Sequence, residues 1–207
     1  KNVKINLSNK EKNSLCVGKL NHAKGYHIFA EAALKFKKID PSWNFIAIGN
    51  EARKEIFPNK RIVKEIGYKK NSEVLKYYSE SEIAIGNSVW DEPLGRIAIE
   101  ASSRMCLPII SNKGGLAESK NIALVLKKNT SSELVNILKQ ITKNNSIRRQ
   151  KQKCDSIISG RRKVFGYFFG NYFAEKLVRC LNKNACTVTS NRITPTTPTM
   201  VKVYANL

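Results

Sequence analysis

The sequence predicts an α/β domain with a doubly wound parallel sheet of the Rossmann-like type. Short apolar runs that end at or near glycine alternate with longer segments whose apolar residues recur at helical spacing. The predicted strands are apolar from end to end, as strands are when helices cover both faces of a parallel sheet. A chain of 207 residues with 42% hydrophobic content is long enough for one sizeable core and a short appendage.

The first half of the chain contains three predicted strands and two predicted helices. Residues 15–18 form a short apolar run ended by glycine, and residues 44–49 form a second run that is rich in β-branched and aromatic side chains. Between them, residues 26–39 carry apolar side chains on one helical stripe. Residues 61–66 then predict a third strand, and residues 72–78 predict a second helix.

The second half continues the same alternation. Residues 83–86 predict a strand, residues 95–105 a helix and residues 108–111 the next strand. Residues 122–126 predict one more strand, and residues 131–141 a helix with a single apolar stripe. Doubly wound domains bind ligands at the carboxyl ends of their strands, so the strand-to-helix loops are where a site is expected.

The charge balance is strongly basic. Lys and Arg number 37 against 16 Asp and Glu, and the formal charge of +21 attracts polyanions, phosphorylated ligands or an anionic membrane surface. Lys, Asn and Ile are abundant throughout the chain, so the compositional bias of an AT-rich genome explains the same excess. Both interpretations stay open.

Other features of the composition exclude several classes of protein. The chain has no apolar run of about 18 residues and no signal sequence at its start, which predicts a cytoplasmic protein. The five cysteines include no CxxC pair and no histidine at ligand spacing, so we expect neither a metal site nor a disulfide framework. Cys16 and Cys106 lie in apolar surroundings and are expected to be reduced core residues.

Two lysines occupy the loop after the first predicted strand. Lys19 and Lys24 stand between that strand and the helix that begins near Tyr26, where two ammonium groups and a helix amino end suit a diphosphate. Two solvated lysines on a loop are equally expected in so basic a protein. The position of the loop at a strand end favours the site.

The loop before the helix at residues 95–105 combines two carboxylates with an accessible backbone. Glu92 precedes the helix and Glu100 lies nearly two turns into it, so the carboxylates address different parts of an elongated ligand. Pro93 fits the first turn of a helix, and Gly95 lets a ligand approach the backbone closely. An ordinary helix start explains the same residues, with Glu92 favourable to the helix dipole. The N–H groups available to cradle phosphate belong to Leu94, Gly95 and Arg96.

A third loop, residues 111–118, has a Gly-Gly turn after a strand and then an acidic residue, Glu118. By itself it is equally typical of a plain loop. Together, however, the three loops fall at the ends of three predicted strands, which favours one shared site.

These residues resemble the large retaining glycosyltransferase group of the GT-B fold, typified by sucrose synthase, glycogen synthase and the bacterial lipopolysaccharide and mannosyl transferases. The resemblance covers residues 15–144 and includes a Glu-x7-Glu motif at Glu92 and Glu100. The chain is therefore similar to the C-terminal, donor-binding half of glycosyltransferase family 4 enzymes. Its further landmarks are Val17-Gly-Lys-Leu, Lys24-Gly25, Pro41-Ser-Trp-Asn-Phe, Ile48-Gly49, Ile66-Gly67 and Gly114-Gly115 with Glu118.

The resemblance implies a role for each matching residue. Lys19 and Lys24 are expected to grip the donor diphosphate, with Lys19 acting as a point charge because the family more often has Arg there. Glu92 is expected beside the transferred sugar, and Glu100 at the ribose. The remaining residues expected to bind the donor are Gly18, Tyr68, Lys69, Pro93, Leu94, Gly95 and Arg96.

The implied reaction transfers a sugar from a nucleotide-diphosphate sugar to an acceptor hydroxyl with retention, through an oxocarbenium-like transition state. The lysines and backbone amides stabilise the leaving diphosphate, and neither a metal nor a cofactor is expected. The family's acceptor site belongs to a preceding amino-terminal domain, which we expect to be missing here, so transfer should require it. The acceptor is a saccharide or a lipid-linked molecule, and the latter would place the basic protein on the inner face of a membrane.

The chain changes character after Asn144. We expect residues 1–183 to form the donor-binding domain, including a terminal helix. The aromatic stretch of that helix, residues 164–173, packs either on the missing domain or on this domain's own sheet. Residues 184–207 are rich in Thr and Pro and predict a flexible tail or the start of a further segment.

Two other functions stay open beside the enzyme. The basic strip at residues 148–163 and its neighbouring aromatics suit a nucleic-acid-binding module, although no RNA-binding signature supports one. A truncated, noncatalytic remnant of a transferase is the other alternative.

Overall fold

The structure is a computed structural model that describes residues 7–52 and 62–143. The predicted domain limit at residue 183, the terminal helix with its aromatic stretch, the basic strip and the tail at residues 184–207 all lie outside these described residues.

Six parallel strands form one sheet within the described residues. They are β1 (Glu11–Val17), β2 (Asn44–Ile48), β3 (Val63–Glu65), β4 (Ser81–Gly86), β5 (Leu107–Ser111) and β6 (Leu124–Leu126). The strands lie side by side in the order β3-β2-β1-β4-β5-β6. Because β1 pairs with both β2 and β4, the strand order reverses at β1, and a crevice for a ligand opens at the carboxyl ends of β1 and β4. The doubly wound prediction is confirmed.

Helices cover both faces of this sheet. They are α1 (Tyr26–Lys37), α2 (Asn71–Glu80), α3 (Arg96–Ser102), α4 (Gly114–Ala117) and α5 (Ser131–Lys143), and a 3-10 turn at Leu7–Asn9 precedes β1. The apolar stripes of α1 and α5 share one buried cluster with the sheet, and those of α2 and α3 share another. Within the described residues, no helix is long and apolar enough to cross a membrane.

Aromatic side chains fill the face under α1. Phe36 meets Trp43 and Phe45 edge-on, with ring centroids 6.2 Å apart in both pairs, and Phe29 meets Phe45 at 5.7 Å. All four rings are at most 1% exposed, and burying each contributes about 1.5–3 kcal/mol. Packing thus explains the Trp-Asn-Phe landmark. Trp43 directly precedes β2 and Phe45 lies within it, and because they are alternate residues their side chains face the same side of the sheet.

Most boundaries lie within two residues of the predictions, and two differ by more. The helix predicted at residues 95–105 ends at Ser102, because the Cys106 N–H returns to the Ala101 carbonyl at 3.0 Å and Met105 turns left-handed with φ 55°. This turn sends the chain directly into β5. The strand predicted at residues 15–18 begins earlier, at Glu11, and its polar first residues concealed that start.

The two cysteines in the described residues are core residues, as predicted. Cys16 and Cys106 are free thiols that are 5% and 0% exposed. Burial raises the pKa of each thiol to about 12, so neither is a reactive thiolate near neutral pH.

A buried lysine lies directly before β1, at the amino end of the strand and so opposite the crevice. The Lys10 ammonium donates hydrogen bonds of 2.8 to 3.0 Å to the carbonyls of Tyr78, Ser79, Ser81 and Arg104. These carbonyls close α2 and the turn after α3. Lys10 is 9% exposed, and burial lowers its pKa. The ammonium satisfies carbonyls that helix ends leave without partners.

Candidate functional site

Two loops at the carboxyl edge of the sheet are pinned to each other. Ser88 Oγ donates to the Ala23 carbonyl at 3.0 Å, and the Val89 N–H donates to the same carbonyl at 2.9 Å. Asn87 Nδ2 donates to the Gly25 carbonyl at 2.8 Å. The lysine loop, residues 18–25, is therefore fixed against the acidic loop, residues 87–95.

Neighbouring loops anchor the start of the acidic loop. Ser111 Oγ, at the end of β5, donates to the Ser88 carbonyl at 2.7 Å. Asn129 Nδ2, between β6 and α5, donates to the Asn87 carbonyl at 2.8 Å and to the Ser88 carbonyl at 3.0 Å. These bonds satisfy backbone groups at a buried position. The sequence does not predict this network, because its partners lie far apart along the chain.

Lys24 and Glu92 form an ion pair between the two loops. Lys24 Nζ lies 2.9 Å from Glu92 Oε1, and the side chains are 29% and 15% exposed. The ammonium also lies 5.4 Å from the centroid of the Trp90 ring, within range of a cation–π attraction. The lysine predicted to bind diphosphate and the carboxylate predicted to bind the sugar therefore meet directly.

Asn21 and Gly25 give the lysine loop its shape. Asn21 Oδ1 accepts the Lys24 N–H at 3.0 Å, and Asn21 Nδ2 donates to Glu51 Oε2 at 2.6 Å. Gly25, with φ 71°, starts α1 so close to Asn87 that a Cβ there would lie 2.0 Å from the Asn87 carbonyl oxygen. The Lys-Gly landmark thus has a steric reason, because only glycine allows the lysine loop to seat against the acidic loop.

Two cavities open beside the carboxyl end of β1 and share a wall made of Val17, Gly18, Arg96 and Glu100. The first has a volume of about 340 Å³ and the second about 370 Å³. The predicted site residues around the first cavity are Gly18, Lys24, Glu92, Pro93, Leu94, Gly95, Arg96 and Glu100. Those around the second are Gly18, Lys19, Tyr68, Lys69, Arg96 and Glu100. The structure therefore brings all the residues that were predicted to contact the donor into one divided crevice.

Glu100 stands in the shared wall. Its side chain is 21% exposed, and Arg96 Nε, one turn earlier on α3, lies 3.8 Å from its Oε1. Burial raises the pKa of the Glu100 carboxyl, while Arg96 and the Asn71 side chain at the start of α2 act in the opposite direction. A partly buried carboxylate in a cavity wall is suited to accept hydrogen bonds from the hydroxyl groups of a ligand.

The Gly-Gly segment supports the acidic loop and lines neither cavity. The Gly115 N–H donates to the Glu92 carbonyl at 2.5 Å, and the Gly114 N–H donates to Asp91 Oδ1 at 2.9 Å. A Cβ on Gly114 would lie 2.5 Å from the Glu92 carbonyl oxygen, and one on Gly115 would lie 2.6 Å from that of Pro93. The predicted turn is instead the short helix α4, and its glycines hold Glu92 in place by close backbone packing.

The backbone N–H groups of Leu94, Gly95 and Arg96 have no acceptor among the residues that the structure describes. Gly95, the residue before α3, has a left-handed conformation with φ 59° and packs against Leu116 of α4. Their role toward phosphate stays a prediction. In residues 7–52 and 62–143, no group of three His, Cys, Asp or Glu side chains lies close enough to hold a metal ion.

The chain matches the family model of the glycosyl transferases group 1 over residues 1–158. One similar solved structure is HepE of Anabaena in complex with UDP-glucose, with 18% identity and a TM-score of 0.62. Another is the C-terminal domain of LpcC, a glycosyl transferase group 1 family protein of Francisella tularensis, with 18% identity and a TM-score of 0.63. Sucrose-phosphate synthase of Thermosynechococcus elongatus is also 18% identical, with a TM-score of 0.58.

These matches differ in how much of each protein they cover. The HepE match covers 73% of this chain and 44% of HepE, and the sucrose-phosphate synthase match covers 80% of this chain and 46% of that enzyme. The LpcC match covers 75% of this chain and 88% of the LpcC domain. No curated protein matches the chain. Likeness at these identities shows the fold, whereas the family match spans most of the chain, and the chain therefore belongs to the glycosyl transferases group 1 family.

Proposed function

We propose that this chain binds a nucleotide-diphosphate sugar and supplies the donor half of a retaining glycosyltransferase of the GT-B type, in glycosyltransferase family 4. The observation that carries the proposal is the meeting of Lys24, Glu92 and Glu100 in one crevice where the strand order reverses. Doubly wound domains bind nucleotides at that point. A crevice with both cations and carboxylates suits a ligand that joins an anionic diphosphate to hydroxyl-rich sugar rings.

The two cavities divide this ligand between them. The second cavity takes the nucleoside, with the 72% exposed ring of Tyr68 offering a face to the base and Glu100 accepting from the ribose hydroxyls. The first cavity takes the sugar beside Glu92, and the diphosphate lies between Lys19 and Lys24. Both volumes fall within the usual range for ligand pockets, about 300–1,000 Å³.

The chemistry follows from where charge develops. Departure of the nucleoside diphosphate places negative charge on its phosphate oxygens, and Lys24 and Lys19 stabilise that charge without a metal ion in our proposal. Glu92 orients the sugar at the reacting carbon, which takes the acceptor oxygen on the face that the diphosphate leaves, so its configuration is retained. HepE has been solved with UDP-glucose and with UDP, which supports a nucleotide sugar as the class of ligand.

The acceptor hydroxyl is proposed to come from a saccharide or a lipid-linked molecule held by a partner domain. Val89 and Trp90 leave apolar surface beside Lys24, since they are 45% and 48% exposed, and a facing domain can cover such surface. The chain spans 44% of the length of HepE. We therefore expect donor binding by this chain alone and glycosyl transfer only with its partner domain.

Most of the positive charge that would support a membrane role belongs to residues outside the described ones. The described residues hold 19 Lys and Arg against 13 Asp and Glu, so only +6 of the formal charge of +21 falls on them. If a lipid-linked acceptor places this cytoplasmic protein on an inner membrane face, flotation with liposomes should depend on anionic lipid. Flotation that is independent of lipid charge would remove this part of the proposal.

Binding of nucleotide sugars tests the proposal directly. Thermal-shift and calorimetric titrations with UDP, GDP and ADP sugars should show one class that stabilises the chain, and Lys24→Ala and Glu100→Ala should abolish the response. Lys76→Ala is the matched control, because Lys76 is a 77% exposed lysine on α2 that lines neither cavity. No response to any nucleotide sugar, together with tight, salt-sensitive binding of polynucleotides on filters, would instead establish the nucleic-acid-binding alternative.

A further inference from the structure

Tyr78 on α2 carries a hydroxyl with no hydrogen-bond partner among the described residues. The residue is 0% exposed and is one of the largest fully buried side chains there. A buried hydroxyl without a partner costs about 1–3 kcal/mol, and phenylalanine would fill the same space without that cost. The hydroxyl therefore requires a reason that packing does not provide.

The position of Tyr78 points to the first cavity, which the residue lines together with Glu100. Helix α2 begins at Asn71, after the carboxyl end of β3, and ends at Glu80, where β4 starts. Helical side chains lean back toward the amino end of their helix, so a long side chain near the end of α2 reaches back toward the crevice. Tyr78 and Glu100 thus approach one cavity from two packed helices, α2 and α3.

Electrostatics link the same two groups. Burial, and next the Glu100 carboxylate, raise the pKa of the Tyr78 hydroxyl well above its usual range, so this hydroxyl stays a neutral donor. The other polar, charged or titratable groups around the pair come from every neighbouring element. They are Arg96 on α3, Asn71 on α2, Cys16 on β1, Cys106 before β5, and Lys19, Lys24, Asn50, Tyr68, Lys69, Ser88 and Glu92 around the crevice.

We propose that Tyr78 is a positioning residue for Glu100, whose carboxylate it holds toward the ribose of the bound nucleotide sugar by donating a hydrogen bond from its hydroxyl. This role rests on the proposed function. A rotation of the Glu100 side chain within the cavity makes the bond, which gives the buried hydroxyl its acceptor. Donation to the ionised form of a carboxylate favours that form, so Tyr78 offsets the effect of burial on Glu100.

The pKa of Glu100 tests this contact in the full chain without any nucleotide. Carbon-13 NMR of the glutamate carboxyls, assigned with Glu100→Gln, should show the Glu100 pKa higher by about one pH unit in Tyr78→Phe, because the donor to its charged form is gone. Tyr77→Phe, at the half-buried neighbouring tyrosine, is the matched control and should leave the pKa of Glu100 unchanged. An unchanged Glu100 pKa in Tyr78→Phe overturns the proposal, whether or not a nucleotide binds.

A second measurement needs no change at Tyr78. In the wild-type chain the chemical shift of Tyr78 Cζ should change with pH, and the midpoint of that change should equal the pKa of Glu100. The change should be absent in Glu100→Gln. A Cζ resonance that ignores the titration of Glu100 would count against the contact. This measurement keeps the proposal testable if Tyr78→Phe does not fold.

Nucleotide binding then tests the consequence for function. The affinity for the nucleotide sugar should fall at low pH as Glu100 is protonated, and Tyr78→Phe should move that fall upward by about one pH unit. Adding Tyr78→Phe to Glu100→Gln should change the affinity no further. A tyrosine with only a structural role would leave the pH profile in place. If the Glu100 pKa moves but no nucleotide sugar binds any variant, the contact stands and the proposed function falls.

Discussion

Lys24 Nζ lies 2.9 Å from Glu92 Oε1, so the cation proposed for the diphosphate and the carboxylate proposed for the sugar are each other's partner. A diphosphate that enters the crevice competes with Glu92 for the Lys24 ammonium. Once the diphosphate takes over the ammonium, Glu92 is free to accept hydrogen bonds from the sugar. We therefore expect binding of the two ends of the proposed donor to be coupled through one ion pair.

The first prediction concerns Glu92→Gln. Glutamine no longer neutralises Lys24, so a nucleoside diphosphate without a sugar should bind more tightly, by up to about tenfold for a partly exposed pair. The corresponding nucleotide sugar should gain less, because its contact with the carboxylate is lost. Calorimetry with both ligands at one salt concentration measures the difference.

Glu80→Gln is the control for this change, since Glu80 is a 48% exposed carboxylate at the end of α2. It should alter neither affinity. Equal weakening of both ligands by Glu92→Gln would show that Glu92 does not compete for Lys24.

The second prediction concerns Gly114→Ala. The new Cβ would meet the Glu92 carbonyl oxygen at 2.5 Å and the Glu92 nitrogen at 2.7 Å, in a backbone with φ 46°. We expect lower stability and weaker nucleotide-sugar binding, because the acidic loop must move. Gly67→Ala is the matched control, since Gly67 has φ 71° but nothing within 4 Å of its Cβ position.

Urea unfolding compares the two variants. Both lose about 1–2 kcal/mol of unfolding free energy to the left-handed backbone, and Gly114→Ala should lose about 1–3 kcal/mol more to the steric clash. Equal losses would mean that α4 and the acidic loop are not rigidly packed.

The third prediction concerns Lys10→Met. Methionine retains most of the apolar stem but leaves four carbonyls without their buried donor. We expect the free energy of unfolding to fall by about 2–4 kcal/mol, with the nucleotide affinity of the folded protein unchanged because Lys10 lies at the opposite edge of the sheet. Lys12→Met, at an exposed neighbour on β1, should change urea unfolding little. A similar result for both lysines would contradict the role of Lys10.

The fourth prediction concerns pH. The pKa of the Glu100 carboxyl is raised in the folded protein, chiefly by burial. At pH values between the unfolded and the folded pKa, the folded state therefore holds a proton that the unfolded state has released. This contribution favours folding below the unfolded pKa and is lost as the pH rises through the folded pKa. Glu100→Gln should therefore raise the Tm at pH 7 relative to wild type, and the gain should disappear at pH values below about 4. A gain that is constant with pH would assign the effect to packing.

The order of elements was readable from the sequence because burial leaves a simple pattern in strands covered on both faces. β2 and β5 are buried along nearly their whole length, and their apolar runs predicted them closely. The start of β1 was not readable, because Glu11 and the residues after it pair with neighbouring strands through backbone groups that any side chain supplies. The end of α3 at Ser102 depends on the left-handed turn at Met105, which local preference does not predict.

The members of the site were also readable, because carboxyl ends of parallel strands meet at one edge whatever the details of packing. Lys24, Glu92 and Glu100 were predicted there, and the structure places all three around one cavity. Tyr78 lines this first cavity and Asn71 lines the second, and neither carries a local signal, because they reach the crevice only when α2 packs against α3.

By itself, the sequence determined the alternation of strands and helices, the parallel sheet and the loops that carry the charged residues. These depend on periodicity and on chain order, which are local properties. Only the tertiary structure decided that Lys24 pairs with Glu92, that the Gly114 backbone supports the acidic loop, and that Tyr78 lines a cavity together with Glu100. These relationships join residues far apart along the chain, and their distances are set by how the helices pack on the sheet.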